Sequence, residues 1–413
     1  MPTPRFLHLY FCFAAAYLLS YVYRTVNAVI SPELTATLGI SASSLGLLTS
    51  AYFIAFAAMQ VPAGMLLDRY GPRRVEPALL ALAALGAVLF ATADDLAGLT
   101  IARALIGAGV SVCLMAPLKA IATWYSAERQ ASLAGWMMVA GGIGALLSTA
   151  PLALALSVLS WRGIFVVLAA ATLAVAAVIF MFVPDTPAPA HTAVGRSQWR
   201  GVETVFRSSR LWWIAPLNAL GMGSFMAIQG LWSVPWLMEV DGYSRDVAAD
   251  HLFVMGLATL AGYAAVALLS TRLARIGVLP RHVFAAGFAL QTVLLALIVT
   301  RALPFTYATW ALYGLTAAVN ILGYTLLNEG FARELAARAN TALNLAVFVV
   351  TFAMQWGIGL VADAARAVLG VDAAGGLRIA FVAELCAEAL ACVWFALGWR
   401  RHAIATPMAR VAA

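Results

Sequence analysis

The chain has 413 residues, 63 % of them hydrophobic and only 10 % charged, with a net charge of +7. A soluble chain would be about one quarter charged, so a large water-soluble domain is excluded. Apolar runs of about 20 residues exclude the short alternating strands of an outer-membrane barrel.

The excess positive charge lies in many short loops and forms no basic domain, so nucleic acid is not an expected partner. With the start of the chain placed in the cytoplasm, loops and tails on that side hold 17 Arg and the opposite loops hold five, while Arg24, Arg103 and Lys119 fall inside apolar runs. That bias predicts both termini in the cytoplasm. A multi-pass plasma-membrane protein, as in a bacterial inner membrane, is expected. Cys12, Cys113, Cys386 and Cys392 all sit in hydrophobic runs and read as apolar filler, so neither a metal nor a cofactor is expected. The first apolar run outlasts an ordinary signal core and reads as a span.

Twelve spans are expected, at about 8–31, 44–67, 76–93, 97–119, 131–154, 161–183, 211–237, 249–271, 281–299, 304–327, 340–362 and 377–399. Span 1 is expected to end near Ser31-Pro32, and Ser41 or Ser43 to cap span 2. The longest polar segment follows span 6. Residues 189–210 are read as a cytoplasmic linker, with a short interfacial helix over 197–208 that turns Trp199 and Phe206 to lipid. This divides the chain into 1–188 and 211–413, two bundles of six spans.

Between spans 2 and 3 lies a compact polar corner holding Gly64, Asp68, Arg69, Gly71, Arg73 and Arg74. It resembles the signature loop of the major facilitator superfamily of secondary transporters. Arg103, Gly107 and Gly109 resemble that family's span 4 motif. Gly135, Gly141, Gly142, Gly144 and Pro151 resemble its span 5 motif, although no proline follows Gly141. The second-half copy of the loop keeps Arg275 and Gly277 but has Ala274 where Asp68 would correspond. Ser20 to Arg24 and Pro32 to Leu34 resemble span 1 of the superfamily's organic anion carriers, with Tyr23 where those have an aspartate. The resemblance implies an all-α membrane protein of the major facilitator fold. It also implies that spans 1, 4, 7 and 10 line a central cavity, while 3, 6, 9 and 12 mostly face lipid.

Arg24 is the leading substrate-binding candidate. An arginine at the centre of a lone span costs about 2.5–3.5 kcal/mol, which favours a watered cavity, and its planar fork suits a carboxylate or phosphate. A structural pairing or outward snorkelling is the competing reading. Tyr17, Tyr21 and Asn27 lie near the same helical face. Lys119, the single lysine, is either a second cavity cation or a snorkelled rim residue. Gln229 and Trp232 in span 7, with Tyr313, Asn320 and Tyr324 in span 10, are candidates for another wall or for interhelix bonding. Asn344 and Gln355 are weaker candidates. Asp68, Arg69, Gly64, Gly71, Arg73 and Arg74 are read as a gating latch, with a topogenic anchor as the competing role. Gly64 is expected to permit close helix approach. Arg103, Glu329, Glu384 and Glu388 are coupling candidates; Arg103 belongs to the span 4 motif the resemblance implies and is a candidate to pair with an acid, with Asp94 and Asp95 near in sequence.

These readings lead to secondary active transport of a small organic anion by alternating access, with protons or a second anion as the exchanged partner, in a lipid-embedded monomer. Proton-driven efflux of amphipathic or cationic compounds is the alternative. Five scattered histidines and no HExxH motif argue against an enzyme.

Overall fold

The computed structural model describes residues 6–125, 127–185, 203–331 and 333–403, and it is almost entirely helical. Among the described residues, nine helices are long and apolar enough to cross a membrane, joined by shorter apolar helices at Leu96–Gly109 and Leu133–Leu147. The first half comprises α1 (Phe6–Leu38), α2 (Ala42–Tyr70), α3 (Pro72–Thr92), α4 (Leu96–Gly109), α5 (Met115–Trp124), α6 (Ala127–Leu147), α7 (Ala150–Ala155) and α8 (Trp161–Phe182). The second comprises α9 (Ser209–Ala227), α10 (Ser233–Pro235), α11 (Arg245–Arg275), α12 (Pro280–Thr300), α13 (Thr306–Ala317), α14 (Asn320–Asn328), α15 (Arg333–Leu369) and α16 (Ala373–Ala403). Pieces joined by a short turn (α4 with α5, α6 with α7, α13 with α14) or by a π-helical stretch (α9 with α10) form single spans, which gives twelve among the described residues.

Several boundaries differ from the sequence expectation, each for a local reason. α1 runs past Pro32, because the Ser31 hydroxyl donates to the Ala28 carbonyl (2.9 Å) that the proline cannot reach. Ser41 caps α2 by accepting from the Ser44 amide at 3.2 Å. α3 begins at Pro72, after Gly71 at φ 75°, so Glu76 lies inside the helix rather than at its edge.

Spans 4 and 10 break at corresponding points. Around residues 110–114 and 318–319 the amides reach back three residues instead of four. Hydroxyl and amide side chains assist by bonding nearby carbonyls: Ser111 to Ala108 (2.7 Å), Thr316 to Tyr313 (2.9 Å) and Asn320 to Ala317 (2.7 Å). In span 7, Ile228–Trp232 and Trp236–Val240 are π-helical. Pro235 between them has no amide proton to keep the α pattern.

The chain forms two compact units, which do not follow the sequence halves. One contains residues 1–192, 226–257 and 352–380; the other contains 193–225, 258–351 and 381–413. In the first unit, α3 and α8 interlock through Phe90 and Phe165, whose rings stack at 4.1 Å. α1 crosses α6 so closely that a Cβ on Gly144 would lie 2.2 Å from the Leu18 carbonyl oxygen. The same unit joins α2 to α15. A Cβ on Gly359 would sit 2.3 Å from the Ala42 oxygen, and Asp363 accepts from the Ser43 amide at 2.8 Å and the Ala42 amide at 3.3 Å. Arg245 pairs with Glu33 there as well. In the second unit, Trp213 stacks on Phe395 at 4.6 Å within a core that includes Phe284, Phe288 and Leu326.

Of the expected interfacial helix, residues 197–202 and Trp199 lie outside the described residues, while residues 203–206 are helical. The tail from 404 and residues 186–202 of the linker also lie outside them.

Candidate functional site

In the first unit, α1 carries Tyr17, Tyr21 and Arg24. The Arg24 guanidinium carbon lies 4.5 Å from the Tyr21 ring centre and 5.5 Å from that of Phe56, and the residue is half-buried. Tyr17 and Tyr21 meet edge to face at 5.1 Å with their hydroxyls 3.4 Å apart. Gly141 of α6 makes room for both rings, since a Cβ there would lie 2.7 Å from each. The result is an aromatic shelf beside one guanidinium, with cation–π attraction holding the arginine head in place. Asn27 is buried and donates to Thr49 Oγ1 at 2.9 Å, so its amide joins α1 to α2. Tyr23 also turns away and shares a 2.9 Å hydrogen bond with Thr172. Gln229 is half-buried, whereas Trp232 is buried and donates to the Gln355 carbonyl at 2.9 Å. Gln355 itself is buried with both amide atoms unbonded.

Two further cations lie in apolar runs. Lys119 donates to Asp68 Oδ1 at 2.6 Å and to the Leu67 carbonyl at 2.7 Å. Arg103 is wholly buried, donates to the Tyr23 carbonyl at 2.7 Å and lies 5.0 Å from the Tyr52 ring centre. The two acids near it in sequence are engaged elsewhere: Asp94 takes Arg162, and Asp95 caps α4 by accepting from the Gly98 amide at 2.9 Å.

At the α2–α3 corner, Arg73 donates to the Phe180 carbonyl and to Asp185, each at 3.0 Å, and Arg74 lies 3.8 Å from Asp185. Both therefore hold the end of α8. Arg69 is exposed, 5.0 Å from the Tyr70 ring centre. Gly71 has the positive φ that the turn requires. The close approach expected at Gly64 is absent: a Cβ there would meet only the Met115 methyl at 3.5 Å, an ordinary contact.

The second unit contains the span 10 candidates. Tyr313 is fully buried. Asn320 lies 3.1 Å from Met222 sulfur and 3.2 Å from the Tyr263 hydroxyl, and Tyr324 donates to Asn344 at 3.2 Å. Glu329 is paired with Arg210 at 3.0 Å, and the stem of that arginine fits over Gly330, where a Cβ would lie 2.2 Å from its Cδ.

Glu384 and Glu388 are buried, on the side of span 12 that packs inward. One face of α16 does expose Leu390, Val393 and Leu397, but Glu384, Glu388, Ala391 and Phe395 form the buried stripe at helical spacing. The helix is amphipathic in reverse, with its acids inside.

Two features escaped the sequence reading. Glu76 is fully buried with neither carboxyl oxygen bonded. Its position beside Arg73 and Arg74 made it look like the edge of a polar loop; Pro72 as a helix start was the available signal. Asp363 lies just past the expected end of span 11, and its partner, the start of α2, lies 320 residues away in sequence.

Residues 12–355 match the family model described as Major Facilitator Superfamily. The hexuronate transporter of Escherichia coli K12 is 30 % identical over 149 residues, 36 % of this chain and 34 % of that protein, so the match spans about a third of that relative. A chloramphenicol resistance protein of Pseudomonas aeruginosa is 28 % identical over 206 residues, 47 % of this chain and 46 % of that protein. Among solved structures, a bacterial homologue of the human lysosomal transporter Spinster, inward-facing and unoccupied, superposes with a TM-score of 0.78 at 17 % identity, covering 96 % of this chain and 98 % of that one. With twelve helical spans among the described residues, the signature corner at Asp68 and a family match over most of its length, the chain belongs to the Major Facilitator Superfamily.

Proposed function

We propose that this transporter carries a small organic anion bearing a carboxylate or phosphate, and that Arg24 holds the anionic group. The observation that carries this reading is the setting of Arg24, half-buried beside the Tyr17–Tyr21 shelf and the Phe56 ring. A guanidinium fork matches a carboxylate, and tyrosines offer both an apolar face and a hydroxyl to a polyhydroxy acid. The relative named as a hexuronate transporter supports that substrate class.

Transport proceeds by alternating access of the halves 1–188 and 211–413 in a lipid-embedded monomer, with both termini cytoplasmic, and is driven by protons or anion exchange. The test is ligand-induced thermal stabilisation across uronates, aldonates, simple monocarboxylates, dicarboxylates and sugar phosphates. At a hundredfold excess over Kd a ligand stabilises by about 2.7 kcal/mol. Uronates are expected to stabilise the parent, Arg24→Lys to retain a part of the effect and Arg24→Ala to lose it. Equal stabilisation of parent and Arg24→Ala would remove Arg24 from the site.

Efflux is the second reading, favoured by the relative named as a chloramphenicol resistance protein. It would be supported if chloramphenicol, and no anion, stabilised the parent and Arg24→Ala alike.

A further inference from the structure

We infer that Glu384 and Glu388 form a proton-binding site within the second unit, enclosed by Ser224, Gln291, Thr292 and Tyr313. The two acids stand four residues apart on α16, and both are at least 96 % buried, with 4 % and 2 % exposure. Three of their four oxygens, both of Glu384 and Oε1 of Glu388, accept no hydrogen bond. The fourth, Glu388 Oε2, accepts from Thr292 Oγ1 at 3.3 Å. Ser224 on α9 is wholly buried near both carboxyls, and its hydroxyl makes no hydrogen bond among the described residues. The Gln291 amide donates to the Gly221 carbonyl at 2.8 Å, which leaves its buried oxygen unbonded on the side of Glu388.

The titratable groups that face the pair are themselves acids. Tyr313, on α13, is fully buried with its hydroxyl unbonded and feels both carboxyls. Cys392, one turn further along α16, lies 3.6 Å from Thr292 Oγ1. No arginine, lysine or histidine is recorded against either carboxyl among the described residues. Two carboxylates at this spacing repel each other, and each loses its hydration on burial. A pair of this kind shares its protons and titrates as one unit. At least one carboxyl is therefore protonated while the pocket is closed.

The step is a plain proton transfer. A carboxylate takes a proton from hydronium, forming an O–H bond and releasing water, and returns it to water when the helices around Ser224, Thr292 and Tyr313 separate. Because Tyr313 belongs to span 10, the pair can sense movement of a span that the family resemblance assigns to the cavity wall. The inference does not depend on which anion is carried.

The test is an infrared pH titration of the purified full chain, reading the C=O stretch of protonated carboxyls. Parent spectra should contain a band that is lost in part in Glu384→Gln and Glu388→Gln and further in the double variant. Thr292→Val keeps both acids and removes the one recorded bond, so it should move the band without abolishing it. A band identical in the parent and the double variant would overturn the inference. Variants enter the comparison once their circular dichroism matches the parent.

The second arm uses proteoliposomes and D-glucuronate. Accumulation driven by a pH gradient should fall at least tenfold in the double variant, while exchange against preloaded glucuronate continues. Parent-like accumulation by the double variant would also overturn the inference. If the parent moves no glucuronate by either route, the sugar-acid reading loses support while the infrared result stands by itself.

Discussion

Arg24 depends on its neighbours more than on its own side chain. Its guanidinium is set by the Tyr21 and Phe56 rings, and the tyrosines are set by the absence of a side chain at Gly141. A methyl at Gly141 would meet ring edges at 2.7 Å, and overpacking of that kind destabilises by about 1–3 kcal/mol. Gly141→Ala is therefore expected to lower the melting temperature in detergent and to weaken uronate stabilisation along with it. Gly64→Ala, which meets only the flexible Met115 end at 3.5 Å, should leave both unchanged. Similar losses in the two variants would show that the tyrosine shelf is not what Gly141 protects. Arg24 and the tyrosines were legible in the sequence because a charge inside an apolar run must be given a reason. Glu76, fully buried, was missed because it adjoins a charged loop in the chain, although Pro72 at the helix start places it inside α3.

At the scale of helices, the α2–α3 corner and the ends of the broken spans matter most. Asp68 is held by Lys119, whose ammonium also caps the Leu67 carbonyl near the end of α2. Both side chains reach solvent, so little stability is expected from the pair itself. If Asp68 alternates between Lys119 and another helix end, Asp68→Asn should change the balance of accessible states. Cysteine labelling from each side of the membrane would measure this, and an unchanged balance would leave the corner as a topogenic anchor. The breaks in spans 4 and 10 were invisible to hydropathy, which registers an apolar run but not its hydrogen-bond pattern. Ser111, Thr316 and Asn320 were the residues that marked them.

At the scale of the whole molecule, the first unit brings the start of α2 against α15. The Asp363 carboxylate accepts from two amides of the first turn of α2, a cap typically worth about 1 kcal/mol. Glu33 and Arg245 add an ion pair in the same unit. Asp363→Asn should weaken this contact, and hydrogen exchange at Ala42 and Ser43 should quicken by about fivefold, the ratio that 1 kcal/mol implies. Exchange at the parent rate would mean that Asp363 does not hold the contact closed.

The sequence by itself determined the membrane class, the twelve spans and the family, and it marked Arg24 as a charge that α1 carries inside an apolar run. Hydropathy, charge bias and a compact signature loop are local properties, and a bilayer enforces them one segment at a time. Tertiary structure decided which polar groups are engaged and which are buried without partners. Lys119 found Asp68, Asn27 found Thr49, and the acids of α16 turned inward while the opposite face of that helix stayed apolar. Those outcomes depend on which helix faces which, and helical spacing alone names a face without naming its neighbour.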